Sequence, residues 1–311
     1  MKRAAVIGIV VASALVVGGA GAAWFLMTRP PSAEDAARTY LSALSEGDID
    51  TIMSMRDDRL DDDGERILSA AFTDAGFVED ATIDRMREGQ DGAVAVDATA
   101  SIDGERVDVS FRLARGGDGA WVLGGDYLAS ATVEAQLEGG AALPAVWIGD
   151  ALVPTGQTVA LLPAAYVAAA APRSIVEGET EVAVGAGAPV EIEVTASLTP
   201  DATGRAQEQL DAYAQACAEP ATAVPDNCGL VVPWAADLAE LERIAFRIEG
   251  LPAVTLSPDA ASFAATGGII VATATGRTRE GTPGAFTYRA DDWSLRGTLR
   301  LSGDEMLLTV H

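Results

Sequence analysis

Residues 4–28, AAVIGIVVASALVVGGAGAAWFLMT, run for 25 positions without a charged side chain. A helix needs about 20 apolar residues to cross a bilayer, so this run is long enough to span. Lys2 and Arg3 precede it, and Glu34 and Asp35 follow soon after. By the positive-inside rule residues 1–3 stay in the cytoplasm and everything after Arg29 lies outside. Trp24 falls where an interfacial anchor belongs. The competing reading is a cleaved export signal, because Ala20-Gly21-Ala22 has the small residues a signal peptidase accepts. Such signals usually have an apolar core of only about 7–15 residues. No cysteine is near enough for a lipid anchor, and both readings export the remainder.

Charge narrows the partners. Asp and Glu number 46 against 21 Lys and Arg, a net charge of −25, and Lys2 is the single lysine. So acidic an exterior argues against nucleic acid and anionic lipid, which need positive charge to displace counterions.

Export also decides how the two cysteines, Cys217 and Cys228, are read. Outside the cytoplasm an even number of cysteines implies bridging. Leu210, Tyr213, Ala214 and Cys217 recur at i, i+3, i+4 and i+7, one face of a helix that Pro220 helps to end. Pro225, Asp226 and Asn227 are turn formers that let Cys228 fold back to meet it. A structural disulfide is expected, with unpaired thiols as the alternative. A redox pair would want C-x-x-C, and a zinc site would want further ligands.

The periodicity divides the exported chain into three modules. In the first, 34–128, Ser32 and Asp35 form a helix-start signal, Ala37, Tyr40, Leu41 and Leu44 make an apolar stripe, and Gly47 stops the helix. DIDTIMSM and ERILSAAFTDAG read as two more short helices. The period then becomes two, with Val94, Val96 and Ala98, then Val107, Val109, Phe111 and Leu113, on one face. The second module, 132–198, is strand-rich and ends with Val190, Ile192 and Val194 alternating. The third, 199–311, places the Cys217 helix before LERIAFRIEG, GGIIVATATGR, GAFTYRA, WSLRGTLRL and EMLLTV, with a hairpin turn at Ser302-Gly303. The fold class expected is α+β.

The first module resembles the nuclear-transport-factor-two-like superfamily, on AEDAARTYLSALSEGDIDTIMSM and the closing strand with Trp121. Actinobacterial single-pass membrane proteins often carry such a domain just outside the membrane. The resemblance implies a helix-plus-antiparallel-sheet module, a cystatin-like cone, and carries no catalytic set onto this chain. VWIGDALVPTGQTVALLPAAYVAAAAP resembles a PEGA-type β-sandwich through Gly149, Leu162, Pro163 and Tyr166, with Ala164 where that family has Gly. A generic immunoglobulin-like sandwich is the alternative. The third module is a candidate second, degenerate copy of the first.

His311 is the only histidine, so Ser-His-Asp, Cys-His and histidine-zinc chemistry have no participants. Lysine chemistry is equally excluded beyond the membrane, and no phosphate-binding loop is present. A carboxylate pair is the only familiar hydrolytic option left, and few aromatics are available for a sugar cleft. A non-enzymatic protein without cofactor or metal is expected. The run Asp57–Glu65, DDRLDDDGE, fails the calcium-loop pattern, since aligning Gly64 at position six puts Arg59 first and Ala70 last. It reads as a solvated loop, with Asp61, Asp62 and Asp63 as candidate contacts for a cationic partner. Arg296 and Arg300 alternate with Leu295, Leu299 and Leu301, projecting from one strand face toward an acidic partner or anionic wall polymer, or simply toward solvent. The functional expectation is a membrane-anchored interaction or accessory protein of the cell envelope. The alternative is a small-molecule or wall-ligand binder using the cone.

Overall fold

The computed structural model describes residues 31–311, which form two compact units. The expected membrane helix, 4–28, lies outside the described residues. Among those described, no helix is long and apolar enough to cross a membrane.

The first unit takes residues 31–59, 77–127 and 185–187. Helix α1 (Ala33–Glu46) starts at a reciprocal capping box: Asp35 N–H donates to Ser32 Oγ at 3.1 Å, and Ser32 N–H donates to Asp35 Oδ2 at 3.0 Å. Gly47 ends it in the left-handed region with φ 69°, at a spot where any Cβ would enter the Phe77 ring. The predicted stripe is the buried one, including Ala37, Tyr40, Leu41 and Leu44. After α2 (Ile49–Ser54) come β1 (Glu79–Glu88), β2 (Val94–Ile102), β3 (Glu105–Arg115) and β4 (Trp121–Gly124), an antiparallel sheet in sequence order. Val96 pairs with Phe111 and Val94 with Leu113. Tyr40 fills the space between helix and sheet, edge-on to Phe111 at 4.7 Å and to Tyr127 at 6.5 Å between ring centroids. Each such pair adds about 0.5–1.5 kcal/mol beyond area burial.

The second unit takes residues 60–76, 128–184 and 188–311. Its strands β5 (Ala129–Leu137), β6 (Ala145–Ile148), β7 (Ala151–Pro154), β8 (Thr158–Leu161), β9 (Ala164–Ala170), β10 (Val176–Glu177), β11 (Glu179–Val184) and β12 (Pro189–Leu198) make two four-stranded sheets. Their orders are β10-β12-β5-β8 and β11-β9-β6-β7, and β12 runs parallel to β5. Helix α3 (Asp62–Thr73), expected in the first module, packs on β7, β8 and β9 instead. It does so because Ile67, Leu68, Ala71 and Phe72 form its buried face and Gly149 lets the chain come close, leaving a Cβ there only 2.9 Å from Ala71 O. The following Gly76 exchanges two 2.8 Å backbone hydrogen bonds with Ala165.

Helix α4 (Ala202–Cys217) leads into β13 (Glu240–Gly250), β14 (Ala253–Leu256), β15 (Ser262–Arg277), β16 (Pro283–Ser302) and β17 (Glu305–Val310). The order is β13-β15-β16-β17, with β14 also on β15. GAFTYRA and WSLRGTLRL, which read as separate strands, are one strand of 20 residues. Irregular pairing around Gly268 lets β15 and β16 change direction without breaking. One half of this sheet lies under α4. The other half is closed by the segment after the helix, with Val224, Val232 and Trp234 packed on Leu238, Ile244, Ala272 and Ala274.

Cys217 and Cys228 are bonded to each other and buried. Trp293 Nε1 donates to Cys228 O at 2.8 Å, and Tyr213 OH to Asn227 O at 3.0 Å. Gly229 follows with φ 61°, pressed against Ser294 O where no side chain fits. The covalent bond therefore joins the end of α4 to the loop that seats Trp293.

Candidate interaction surface

The sheet half under α4 has two unlike sides. Leu295 and Leu299 of β16, Phe263 of β15 and Met306 of β17 are buried. Gln207 and Gln209 of α4 fix the helix to the two outer strands: Val254 N–H donates to Gln207 Oε1 at 2.8 Å, and Gln209 Nε2 donates to Met306 O at 2.9 Å. The opposite parity is open. Arg296 pairs across the strands with Ala264, Thr298 with Thr309, and Arg300 with Leu307, and all six are exposed.

Arg296 and Arg300 are therefore where the alternation predicts, on the face opposite Leu295 and Leu299. Their neighbours along the chain are paired: Arg277 with Glu242 at 3.7 Å, and Arg289 with Asp291 at 2.7 Å and with Glu249. Arg279 donates to Ala235 O at 3.3 Å. Among the described residues the side chains of Arg296 and Arg300 have no ion-pair or hydrogen-bond partner. Two unpaired guanidinium groups on a face shared with Ala264, Thr298, Thr309 and Leu307 can each offer a planar fork of donors to a carboxylate or phosphate.

The acidic run is a loop only as far as Asp61, and its second half starts a helix. Asp61 caps α3, accepting from Gly64 N–H at 2.7 Å, and Asp62, Asp63 and Glu65 occupy its first turn. Carboxylates there meet unsatisfied N–H groups and the positive end of the helix dipole. Asp63 also pairs with Arg66 at 3.1 Å. These residues are brought together by one helix terminus, which accounts for them structurally.

Sequence reasoning missed two polar clusters. In the first unit the Arg56 side chain is 2% exposed. It reaches Asp58 Oδ1 at 3.3 Å and Asp58 O at 3.2 Å, while Tyr127 OH donates to the same carboxylate at 2.7 Å. Burial first, then the hydrogen bond to Asp58, push the Tyr127 phenol well above its ordinary value. Met55 O accepts from Leu123 N–H at 2.6 Å, so the cluster ties the turn after α2 to β4. In the second unit, Asp304 Oδ1 accepts from Trp147 Nε1 at 3.1 Å and Arg173 N–H at 3.0 Å. The Arg173 guanidinium lies 4.6 Å from the Trp147 ring centre. The sequence signalled only the neighbouring hairpin turn at Ser302-Gly303, with nothing to mark Asp304.

Several grooves lie among the described residues. One of about 490 Å³, lined by Tyr166, Val167 and Arg173, has its cation already engaged with Gly149 O at 2.8 Å. One of about 200 Å³ lies beneath Val231 and Val232 against Phe246 and Ile270. Tyr288 borders it, its phenol pushed up to about 12 by partial burial and by its hydrogen bond to Asp237. One of about 550 Å³ runs between α1 and β1, bordered by Arg38 and Asp80. Among the described residues no group of His, Cys, Asp and Glu is arranged to hold a metal ion. Comparison with family models, with curated proteins and with solved structures returns no match for this chain.

Proposed function

We propose that the protein is a non-enzymatic, membrane-anchored extracytoplasmic protein that acts as an interaction scaffold or accessory subunit in the cell envelope. The observation that carries this reading is the open face of β14 to β17, where Arg296 and Arg300 stand unpaired in a chain of net charge −25. With 46 acidic side chains available, pairing both internally would be easy. Their freedom leaves them available to an acidic partner protein or an anionic wall component. The disulfide supports an extracytoplasmic setting, since such bonds persist in oxidising compartments. The ligand-binding alternative needs room inside the first unit. There Tyr40, Phe111 and Tyr127 pack against one another, while the groove of about 550 Å³ between α1 and β1 is the room such a ligand would have.

The test is crosslinking in intact cells with a reagent that couples carboxylates, comparing the full chain with its Arg296→Glu, Arg300→Glu variant. A partner captured by the full chain and reduced about tenfold in the variant supports the reading. Equal capture by both removes the Arg face from it.

A further inference from the structure

We propose that β17 is a self-association edge: two copies of the chain pair their β17 strands antiparallel about Leu308, joining two C-terminal sheets into one.

The main-chain directions in β17 follow from two hydrogen bonds. His311 N–H donates to Arg296 O at 3.0 Å, so the odd-numbered residues turn their peptide groups toward β16. Gln209 Nε2 meets Met306 O at 2.9 Å from the other side, so Met306, Leu308 and Val310 turn theirs away. Among the described residues, the N–H and C=O groups of Leu308 and Val310 on that edge have no partner.

Natural sheets protect such edges with charge, proline or bulges. The opposite edge of the same sheet does so. Strand β13 carries Glu240, Glu242, Arg243, Arg247 and Glu249, has two irregularities in its pairing, and is bridged at Ile244 by Ala221. Met306 to Val310 of β17 has none of these devices.

The occupant is a second copy because the register matches itself. Pairing about Leu308 sets Met306 against Val310 of the second copy and Leu307 against Thr309. Outward-facing peptide groups then meet outward-facing ones, as an antiparallel ladder requires. The same register puts Glu305 opposite His311, the only histidine, so a carboxylate faces an imidazole donor at both ends of the pairing. Sliding two residues toward the hairpin would centre the axis on Met306, set Glu305 against Leu307 and take the carboxylate away from His311. Leu307, 48% exposed, is set against Thr309 in the first register and against a carboxylate in the second. Because the twofold axis stands perpendicular to the sheet, Arg296 and Arg300 of both copies share one face. The proposal stands whether or not that face binds an acidic partner.

The test uses the full chain with two tags of different size. A Leu307→Cys copy mixed with a Thr309→Cys copy should oxidise to a mixed covalent dimer at least about tenfold faster than either copy alone. Directly opposed residues are within disulfide reach, whereas the diagonal partners in single-variant mixtures are about 7–8 Å apart and are not. The native cysteines are already bonded and do not compete. Glu305→Lys should weaken the dimer about tenfold, and adding His311→Glu should restore it. Leu308→Pro removes only an outward N–H, a change edge strands tolerate, and should leave a folded monomer. Equal oxidation rates in mixed and single samples, or a monomer at every concentration, would overturn the proposal. If Leu308→Pro fails to fold, the mixed-cysteine rates decide alone.

Discussion

Breaking the Cys217–Cys228 bond should loosen the C-terminal module selectively, by an amount its loop length sets. The bond closes a loop with a sequence separation of 11 residues. In the chain-entropy model a loop of this size stabilises by about 3 kcal/mol, through restriction of the unfolded chain. Hydrogen bonds hold the same loop besides the bond: Ala221 pairs with Ile244, and Tyr213 OH donates to Asn227 O. The folded structure should therefore persist after reduction, with a shallower free-energy well. Hydrogen exchange read peptide by peptide is the suitable assay, because a single melting temperature is ill defined for a chain of two units. Amides of β15 and β16 that exchange by opening of the module should exchange about a hundredfold faster in the reduced protein, while β1 to β4 should not change. A Cys217→Ala, Cys228→Ala variant should behave like the reduced protein, with a small extra loss from two truncated buried side chains. The reasoning fails if β15 and β16 keep their exchange rates within a factor of about three, or if β1 to β4 accelerate equally.

Other perturbations separate the remaining structural roles. Asp61→Ala should destabilise α3 by about 1 kcal/mol, whereas Asp61→Asn keeps the cap and should be nearly neutral, as read by exchange of the α3 amides. Asp304→Ala removes the acceptor of Trp147 Nε1 and Arg173 N–H at exposed positions where water can replace it, so it should cost about 1 kcal/mol and raise limited proteolysis near Arg173. For Tyr288 the folded phenol, held near 12, lies above its unfolded value of about 10. Its contribution is thus complete below about pH 10 and is lost as pH rises toward 12. Tyr288→Phe should make stability less steep across that window, measured by denaturant unfolding at a series of pH values.

What the sequence reveals is local. Ser32, Asp35 and Gly47 mark both ends of α1 because capping is chemistry within a few residues. Cys217 could be placed on a buried helix face, and Arg296 and Arg300 on an exposed strand face, because periods of 3.6 and 2 sort side chains by direction. Neither period says which element covers a face. The stripe of Ile67, Leu68, Ala71 and Phe72 fits any apolar sheet, so its place on β7 to β9 could not be read. GAFTYRA and WSLRGTLRL read as two strands, yet β16 runs through the intervening Asp291 and Asp292, since exposed strand positions tolerate charge and the irregularity beside Gly268 absorbs the bend. Arg56 gave no signal at all. Its burial depends on Asp58 and on Tyr127, which joins the cluster from 69 residues beyond Asp58.

An acidic partner approaching this protein meets two opposed fields. The net charge of −25 repels it, but over distances longer than the Debye length, about 8 Å at physiological ionic strength, that repulsion is largely screened. Arg296 and Arg300 act at contact, where water and ions are partly displaced and charge-assisted hydrogen bonds are strongest. Moderate salt should therefore help encounter more than it harms the docked state, and high salt should weaken both. Affinity through the Arg face is expected to pass through a maximum as salt rises, instead of falling steadily as it does for a basic protein on a polyanion. The Arg296→Glu, Arg300→Glu variant keeps the repulsion and loses the contacts, so its residual binding should only rise with salt. A steady fall for the unaltered chain from the lowest salt upward would mean that a wider basic surface than these two residues makes the contact, and the open face of β14 to β17 would no longer account for it.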